Sequence, residues 1–281
     1  RTWDLSHAGE GLRSTASLRG RAGAMGPLHW SANFDEVQDF EGQIRSLAGG
    51  TGLMTDAQFA TGTRNQPLGD RKAGVSADLD ALAAYVASLN RFDPSPLRAA
   101  DGTLTADAVA GSNLFRSLNC ASCHGGTGFT LSGTLGSQDI GTIKATSGQR
   151  LGGPLTGIDV PTLRDVWATA PYLHDGSAAT LGAAVRAHRN TTITDADLGR
   201  LVAFLQQIGA DEADAGSAGE VAGLRGEYWA ASRPGNGTPA LVRYESVDFD
   251  WGIQPPAPQI PSLPYAARWT GWLVPAASGS Y

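Results

Sequence analysis

Two cysteines and a histidine occur within five residues, at Cys120, Cys123 and His124 in the segment CASCH. This spacing is typical of c-type haem attachment: two thiols one helical turn apart add to the two vinyl groups of one porphyrin, and the adjacent histidine reaches the iron. A redox-active CxxC pair or a plain disulfide is the alternative. We favour haem, because the histidine is in place, no βαβ pattern surrounds the motif, and a predicted helix, TADAVAGSNLFRSLNC, leads directly into it.

The sixth ligand of such an iron decides its chemistry, because a haem with one protein ligand is open. The other side chains able to bind iron are four histidines and two methionines: His7, His29, His174, His188, Met25 and Met54. For a lone histidine the ordinary interpretation is a packed or surface side chain that makes one hydrogen bond. The CxxCH motif by itself therefore leaves the sixth ligand open.

The composition excludes several classes of protein. Charged residues are only 17% of the chain, which has 37 glycines and 15 prolines, so we expect much ordered loop. A net charge of −6 without a basic run argues against nucleic acid as a partner. No apolar stretch approaches the about 18 residues of a membrane span. Two cysteines are too few for a disulfide framework or a four-cysteine zinc site.

An internal repeat organises the chain, whose 281 residues are long for one domain. The segment TASLRGRAGAMGPLHW resembles VPTLRDVWATAPYLHD, and Leu18 precedes His29 by the same distance as Leu163 precedes His174. Later, ADLDALAAYVASLN matches ADLGRLVAFLQQIG position by position. We therefore expect two copies of one domain, which we call the first repeat (residues 1–95) and the second repeat (residues 96–210). Any CxxCH of the first copy would lie upstream of the first residue, at the spacing of the second copy.

The second pair of matching segments predicts two amphipathic helices, because their apolar residues recur at steps of three and four. We expect Ser76 to cap the first helix, Thr194 to cap the second, and Gly209 to stop the second. The apolar face consists of Leu79, Leu82, Val86 and Leu89 in the first helix and of Leu198, Leu201, Leu205 and Ile208 in the second.

Residues 110–209, with CASCHGGTGFT, VPTLRDVWATAPYLHDGSAATLGAAVRAH and a closing helix, resemble the C-terminal haem domain of the bacterial di-haem cytochrome c peroxidase and MauG family. Residues 1–90 resemble its N-terminal domain without the haem-binding start. In that family the sixth ligand, commonly methionine, follows the histidine of the APYxHDG segment by 14 residues. His188 occupies this position. The resemblance thus implies one haem c held by Cys120 and Cys123 and ligated by His124 and His188, with a lower reduction potential than a His/Met pair.

The same resemblance implies roles for three further residues. Arg164 and His174 would orient the haem or its propionates, with loop-fixing polar contacts as the alternative. Trp30 matches the tryptophan between the two haems of the family, within LHWSANF instead of FWDGR, and would be an electron relay or a buried interface aromatic. The peroxidases next carry a glutamate before a methionine. Here Leu53 precedes Met54, which argues against peroxidase activity, because cleaving peroxide needs a positioned acid or base.

The tail reads as strands and turns in LRGEYWA, LVRYESVDFDWG and YAARWTGWLVP. It resembles the opening strands of a PA14 domain, a β-barrel module. The barrel cannot close within residues 223–281, so we expect exposed edge strands. Trp251 and Trp269 are expected in its core rather than as sugar-stacking residues. Because the chain starts at Arg1 and ends in PAASGSY, we expect both ends to be cuts in a longer protein.

The expected fold is mainly α: two cytochrome c-like domains, the first truncated at its N-terminus, followed by an incomplete all-β PA14-like module. The expected parts are an incomplete N-terminal cytochrome c-like domain without CxxCH, a haem-binding cytochrome c domain, a linker, and the N-terminal part of the β module, at residues 1–95, 96–210, 211–222 and 223–281.

Three functions are consistent with these features. The first is electron transfer through a His/His-ligated haem c, with a redox protein or a small electron donor or acceptor as partner. The second is a di-haem peroxidase- or MauG-like oxidoreductase whose active haem lies upstream. The third is glycan or surface binding through the PA14 module. Covalent haem attachment occurs outside the cytoplasm, so each implies a periplasmic, secreted or cell-surface protein, with no nucleic-acid partner and no transmembrane segment.

Overall fold

The structure of the chain, a computed structural model, describes residues 1–20, 26–189, 191–210, 212, 224–230, 234, 239–245, 255–256, 260 and 264–270. Met25, Trp251 and all of the predicted linker except residue 212 lie outside these residues. No helix in the described ranges is both long enough and apolar enough to cross a membrane.

The α-helices of the described residues are α1 (Phe40–Ser46), α2 (Asp56–Phe59), α3 (Ala77–Ser88), α4 (Ala106–Ser117), α5 (Ser132–Leu135), α6 (Leu181–Arg186) and α7 (Asp195–Leu205). Short 3₁₀ turns cover Ser6–Ala8, Val37–Asp39, Cys120–Ser122, Ala145–Ser147 and Val166–Ala168. Long irregular connections separate these elements, as the glycine and proline content predicts.

The strands are β1 (Thr2–Asp4), β2 (Leu12–Ser14), β3 (Gln149–Arg150), β4 (Gly153–Pro154), β5 (Leu224–Trp229), β6 (Leu241–Glu245) and β7 (Ala266–Thr270). β1 pairs with β2 and β3 pairs with β4, both antiparallel. The last three strands form an antiparallel sheet in the order β6-β5-β7. This sheet lies where the sequence predicts strands, and its assignment to a PA14 domain stays a prediction.

The two repeated helices form where the sequence pattern places them. The hydroxyl of Ser76 accepts a hydrogen bond from an N–H of the first turn of α3, and the hydroxyl of Thr194 does the same for α7. α7 ends at Leu205, however, four residues before Gly209. Gly209 serves close packing instead, because a Cβ there would lie 2.5 Å from the carbonyl oxygen of Asp93.

Helices α4 and α7 cross at close range and form the core of the second repeat. Gly111 makes this crossing feasible, since a Cβ at this position would lie 2.0 Å from the carbonyl oxygen of Arg200. Beside it pack the rings of Phe115, Phe129 and Phe204, with centroids 5.5–6.4 Å apart. All three rings are at most 2% exposed, so their burial stabilises this crossing by several kcal/mol. Because α4 runs directly into CASCH, the crossing also fixes the start of the motif.

Each of the two repeats contains the same backbone hydrogen bond at equivalent positions. The N–H of Gly20 donates to the carbonyl of Leu89 (2.7 Å), and in the second repeat the N–H of Asp165 donates to the carbonyl of Ile208 (3.1 Å). These four residues are equivalent in the sequence repeat, and Gly20 and Asp165 both have positive φ values, 71° and 58°. The assignment of two copies of one domain stays a prediction, and these contacts support it.

The following turn shifts the predicted register of the repeat by one residue. His29 has φ 68° and Leu173 has φ 69°, and in both turns the N–H three residues further on donates to that residue's carbonyl over 3.2 Å. His29 thus corresponds to Leu173, and Trp30 to His174. The sequence alignment of His29 with His174 is therefore wrong. The first repeat has one more residue between Gly20 and its turn at His29 than the second repeat has between Asp165 and its turn at Leu173.

The N-terminal segment packs against the second repeat through backbone contacts. The N–H of Ser14 donates to the carbonyl of His174 (2.7 Å), and the N–H of Gln149 donates to the carbonyl of Gly9 (2.7 Å). Between them, a Cβ on Gly11 would lie 2.5 Å from the carbonyl oxygen of Thr146. This close approach and a φ of 71° both require glycine at position 11.

Candidate functional site

One cavity brings together the motif and the implied sixth ligand. Its volume is about 510 Å³, and Cys120, Cys123, His124 and His188 all line it. Most of the remaining wall is apolar, and includes Phe115, Leu118, Leu163, Val166, Leu181, Val185, Leu201 and Leu205. Cofactor sites typically have such a volume and such walls.

The motif follows α4 through a sharp change of direction. Asn119 has φ 61°, a left-handed conformation that asparagine tolerates, and Cys120 then begins a 3₁₀ turn. Both cysteines are free thiols. Burial raises the pKa of Cys120 to about 11. A redox-active CxxC pair requires a lowered thiol pKa, so the environment of Cys120 argues against redox exchange.

The two histidines are oriented by backbone carbonyls. Nδ1 of His124 lies 3.1 Å from the carbonyl oxygen of Pro161, and Nδ1 of His188, just after α6, lies 2.9 Å from that of Ala184. A carbonyl only accepts, so each Nδ1 is the donor, and Nε2 is the ring nitrogen that can bind a metal. Histidines that bind metals are commonly held in this way.

The electrostatics of His124 also suit an iron ligand. Burial and, to a smaller extent, the nearby His188 lower its pKa to about 4, because two imidazoles in one cavity disfavour a second positive charge. His124 is therefore neutral at pH 7.

These residues fit a haem c. The two free thiols match the two vinyl groups, and the imidazoles of His124 and His188 match the two ligands that a protein can supply to a haem iron. Across the described ranges, no group of three or more His, Cys, Asp or Glu side chains is arranged to hold a metal ion by itself.

Arg164 lines the cavity, and His174 does not. The Arg164 guanidinium donates to the carbonyls of Thr127 (2.7 and 2.5 Å) and Gly209 (2.5 Å). His174 is fully buried, burial lowers its pKa, and its Nε2 pairs with the hydroxyl of Ser147 (2.9 Å). These contacts fix loops, which was the alternative interpretation of both residues. A role of Arg164 in orienting the haem stays a prediction. His174 does not line the cavity, so any effect of His174 on the haem would have to be transmitted through the cavity wall.

Trp30 lies in the cavity wall, together with the segment 14–17. Its indole N–H donates to the carbonyl of Ser14 (2.8 Å), and its own carbonyl accepts from the N–H of Asp159 (2.8 Å). The first repeat therefore supplies one wall of the cavity that holds the CxxCH motif of the second. Sequence reasoning missed segment 14–17, because no local pattern marks it.

Another wall residue that the sequence did not indicate is Arg189. It directly follows His188, its side chain pairs with Asp139 (2.7 Å), and its N–H donates to the carbonyl of Ile140 (2.7 Å). The contacts tie the segment that carries His188 to the segment 138–140. In the sequence, only the position of Arg189 next to His188 could have indicated that Arg189 lies in the cavity wall.

The Leu53–Met54 segment lies in the first repeat, and Met54 does not line the haem cavity. The N–H groups of Leu53 and Met54 donate to the fully buried carboxylate of Glu41 (2.8 and 3.1 Å), and Arg45 Nε donates to it over 2.8 Å. Burial alone would raise the pKa of Glu41, but these hydrogen bonds lower it. Glu41 is thus an ionised anchor for this loop.

The chain is similar to several known haem proteins. A family model described as RoxA-like, cytochrome c-like matches residues 157–192. The chain is 34% identical over 125 residues to cytochrome c551 peroxidase of Nitrosomonas europaea, covering 40% of this chain and 36% of that protein. It is 33% identical over 151 residues to cytochrome c peroxidase Ccp of Escherichia coli, covering 46% and 31%.

Hydrazine synthase subunit gamma of Kuenenia stuttgartiensis is 29% identical over 163 residues, covering 46% of this chain and 45% of that protein. The chain thus spans less than half the length of each of these curated relatives. Among solved structures, hydrazine synthase of Kuenenia stuttgartiensis has a TM-score of 0.47 at 23% identity, covering 73% of this chain and 76% of that one.

A MauG-like protein associated with microbial copper homeostasis has a TM-score of 0.46 at 21% identity, covering 70% and 73%. Both TM-scores lie below 0.5. The matched family model and the two peroxidases support a relationship of this chain with the cytochrome c peroxidase-like haem proteins, and a cytochrome c-like domain implies covalently bound haem c.

Proposed function

We propose that the chain is a c-type haem protein that transfers electrons through one His/His-ligated haem, as part of a larger extracytoplasmic protein. The observation that carries the proposal is the pair of histidines in the cavity. His124 and His188 line the same space as the two thiols, and backbone carbonyls hold both rings so that Nε2 is available. The location follows from covalent haem attachment, which takes place outside the cytoplasm.

When bound, the haem supplies one-electron chemistry between ferric and ferrous iron. Cys120 and Cys123 would hold the ring through thioether bonds, and His124 and His188 would be its two protein ligands. A second imidazole closes the site to substrates and favours ferric iron. The apolar wall excludes water. These groups favour electron transfer over chemistry at the metal.

Trp30 would pass electrons through the wall between the two repeats. Its indole N–H is held by the carbonyl of Ser14, so its proton has a fixed partner while one electron arrives and one leaves. The side chain undergoes no net oxidation, and the exchange partner would be a redox protein or a small electron donor or acceptor. The packing role of a buried interface aromatic is compatible with this relay.

Carbon monoxide binding tests whether the site is closed. The ferrous holoprotein should keep its absorption spectrum under carbon monoxide, because no axial position is free, whereas His188→Ala should bind the gas. His7→Ala, which changes an exposed histidine that does not line the cavity, is the matched control and should behave like the parent. Carbon monoxide binding by the parent would contradict the proposal.

A second candidate is a di-haem oxidoreductase of the peroxidase or MauG type, with its active haem upstream of this segment. The similarity to two cytochrome c peroxidases and the position of Trp30 in the wall favour it. The longer protein would then carry another CxxCH, and Trp30→Phe should slow its peroxide-dependent oxidation of a reduced donor. A longer protein with no upstream CxxCH would exclude this candidate.

A further inference from the structure

Trp30 sits in a turn of unusual backbone conformation, residues 28–34, which we call the Trp30 turn. Leu28 and Phe34 form an antiparallel bridge at its base. Within it, His29 and Ala32 have φ values of 68° and 50°, in the left-handed region that disfavours residues with a side chain. Such a conformation persists only where contacts from outside the turn determine it.

Arg150 provides such contacts from the second repeat. Its Nε donates to the carbonyl of Ser31 (2.7 Å) and its Nη2 to the carbonyl of Ala32 (2.9 Å). These carbonyls belong to the two residues that directly follow Trp30. The fixed fork of a guanidinium suits two neighbouring acceptors, and an ammonium group lacks this geometry.

Two further contacts support the same turn. The carboxylate of Glu10 accepts from the hydroxyl of Ser31 (3.2 Å) and from Nδ2 of Asn33 (2.9 Å). Arg150 itself is held at the β3–β4 hairpin, where it pairs with Gly153. Glu10 therefore holds the turn from the first repeat, and Arg150 holds it from the second.

We propose that Arg150 is a positioning residue for Trp30: its guanidinium holds the Trp30 turn against the haem cavity and so keeps that wall closed to water. The inference rests on the proposed function, because it takes the cavity to hold the haem. Arg150 does not line the cavity and would act only through the Trp30 turn.

The test combines two measurements on the holoprotein, oxidative footprinting of Trp30 by mass spectrometry and the haem reduction potential. In Arg150→Ala, Trp30 should be oxidised about tenfold faster or more, as expected when charge-assisted hydrogen bonds that close a turn are lost. The potential should fall, because water at the haem favours ferric iron. Arg150→Lys should give smaller changes in the same directions.

Arg98→Ala is the matched control. Arg98 also donates to two backbone carbonyls, those of Gln207 and Gly102 (both 3.1 Å), but far from Trp30 in the chain. It should leave the Trp30 footprint and the potential as in the parent. Parent-like values in Arg150→Ala, or equal changes in Arg98→Ala, would overturn the proposal.

Failure of the proposed function would look different. A parent protein without covalent haem, or one that binds carbon monoxide, would contradict the electron-transfer assignment. The Trp30 footprint does not depend on haem ligation, and it would still decide whether Arg150 positions the turn.

Discussion

Replacing Gly111 with alanine should force helices α4 and α7 apart at their crossing. The new Cβ would lie 2.0 Å from the carbonyl oxygen of Arg200 and 2.9 Å from Cβ of Phe204. Neither atom is the end of a flexible side chain, so the clash can be relieved only by moving one helix. Because α4 leads into the CxxCH motif, this movement should also disturb the haem site.

The expected magnitude combines two opposing terms. Alanine is better than glycine inside a helix by about 1 kcal/mol, and overpacking a close contact costs about 1–3 kcal/mol, at the upper end where backbone must shift. The net expectation for Gly111→Ala is a loss of about 1–2 kcal/mol in the free energy of unfolding.

Gly199→Ala is the matched control, because Gly199 lies in α7 and a Cβ there meets nothing within 4 Å. It should stabilise the protein by about 0.5–1 kcal/mol. The assay is urea unfolding of the holoprotein, followed by far-ultraviolet circular dichroism and by haem absorption. If both alanines moved the midpoint in the same direction, the close-crossing argument would be refuted.

Three further predictions concern polar side chains and the partners that hold them. Burial would raise the pKa of Asp175, but its hydrogen bonds lower it to about 2. Asp175→Asn should therefore lower Tm at pH 7, and the difference in Tm between parent and variant should shrink as the pH falls from 3.8 toward 2. A difference in Tm that does not change with pH would contradict this. Lys72→Met should lower the free energy of unfolding by about 3–5 kcal/mol, because it leaves the buried Asp39 carboxylate without its partner at 2.5 Å. Adding Asp39→Asn should recover part of this loss in urea unfolding, and additive losses would refute the pairing. Ser147→Ala should cost about 1–3 kcal/mol by leaving Nε2 of buried His174 unpaired, and an unchanged urea midpoint would show that this bond is dispensable.

Local patterns were sufficient for the helices and the motif. The side chains of Ser76 and Thr194 each accept a hydrogen bond from the N–H three residues further on, so the local sequence is enough to predict both caps. The same holds for Cys120 and His124, which belong to one turn. His188 came from the family resemblance, and the structure brings it to the same cavity.

Features that depend on contacts between distant segments could not be predicted. Segment 14–17 becomes a cavity wall because Ser14 bonds to His174, 160 residues later, and to Trp30, and backbone bonds of this kind leave no pattern in the residues. Gly209 was expected to stop α7, and it is needed for the approach of Asp93 instead. A glycine in the sequence does not reveal which of these two constraints it satisfies.

The most direct test of the central claim is electron paramagnetic resonance of the purified ferric protein beside a His188→Met variant. Ligation by His124 and His188 predicts a low-spin bis-imidazole signal in the parent that is lost in the variant, together with a higher reduction potential. A high-spin parent signal, or a spectrum unchanged by the substitution, would contradict the assignment of His188 as the sixth ligand and the electron-transfer function built on it.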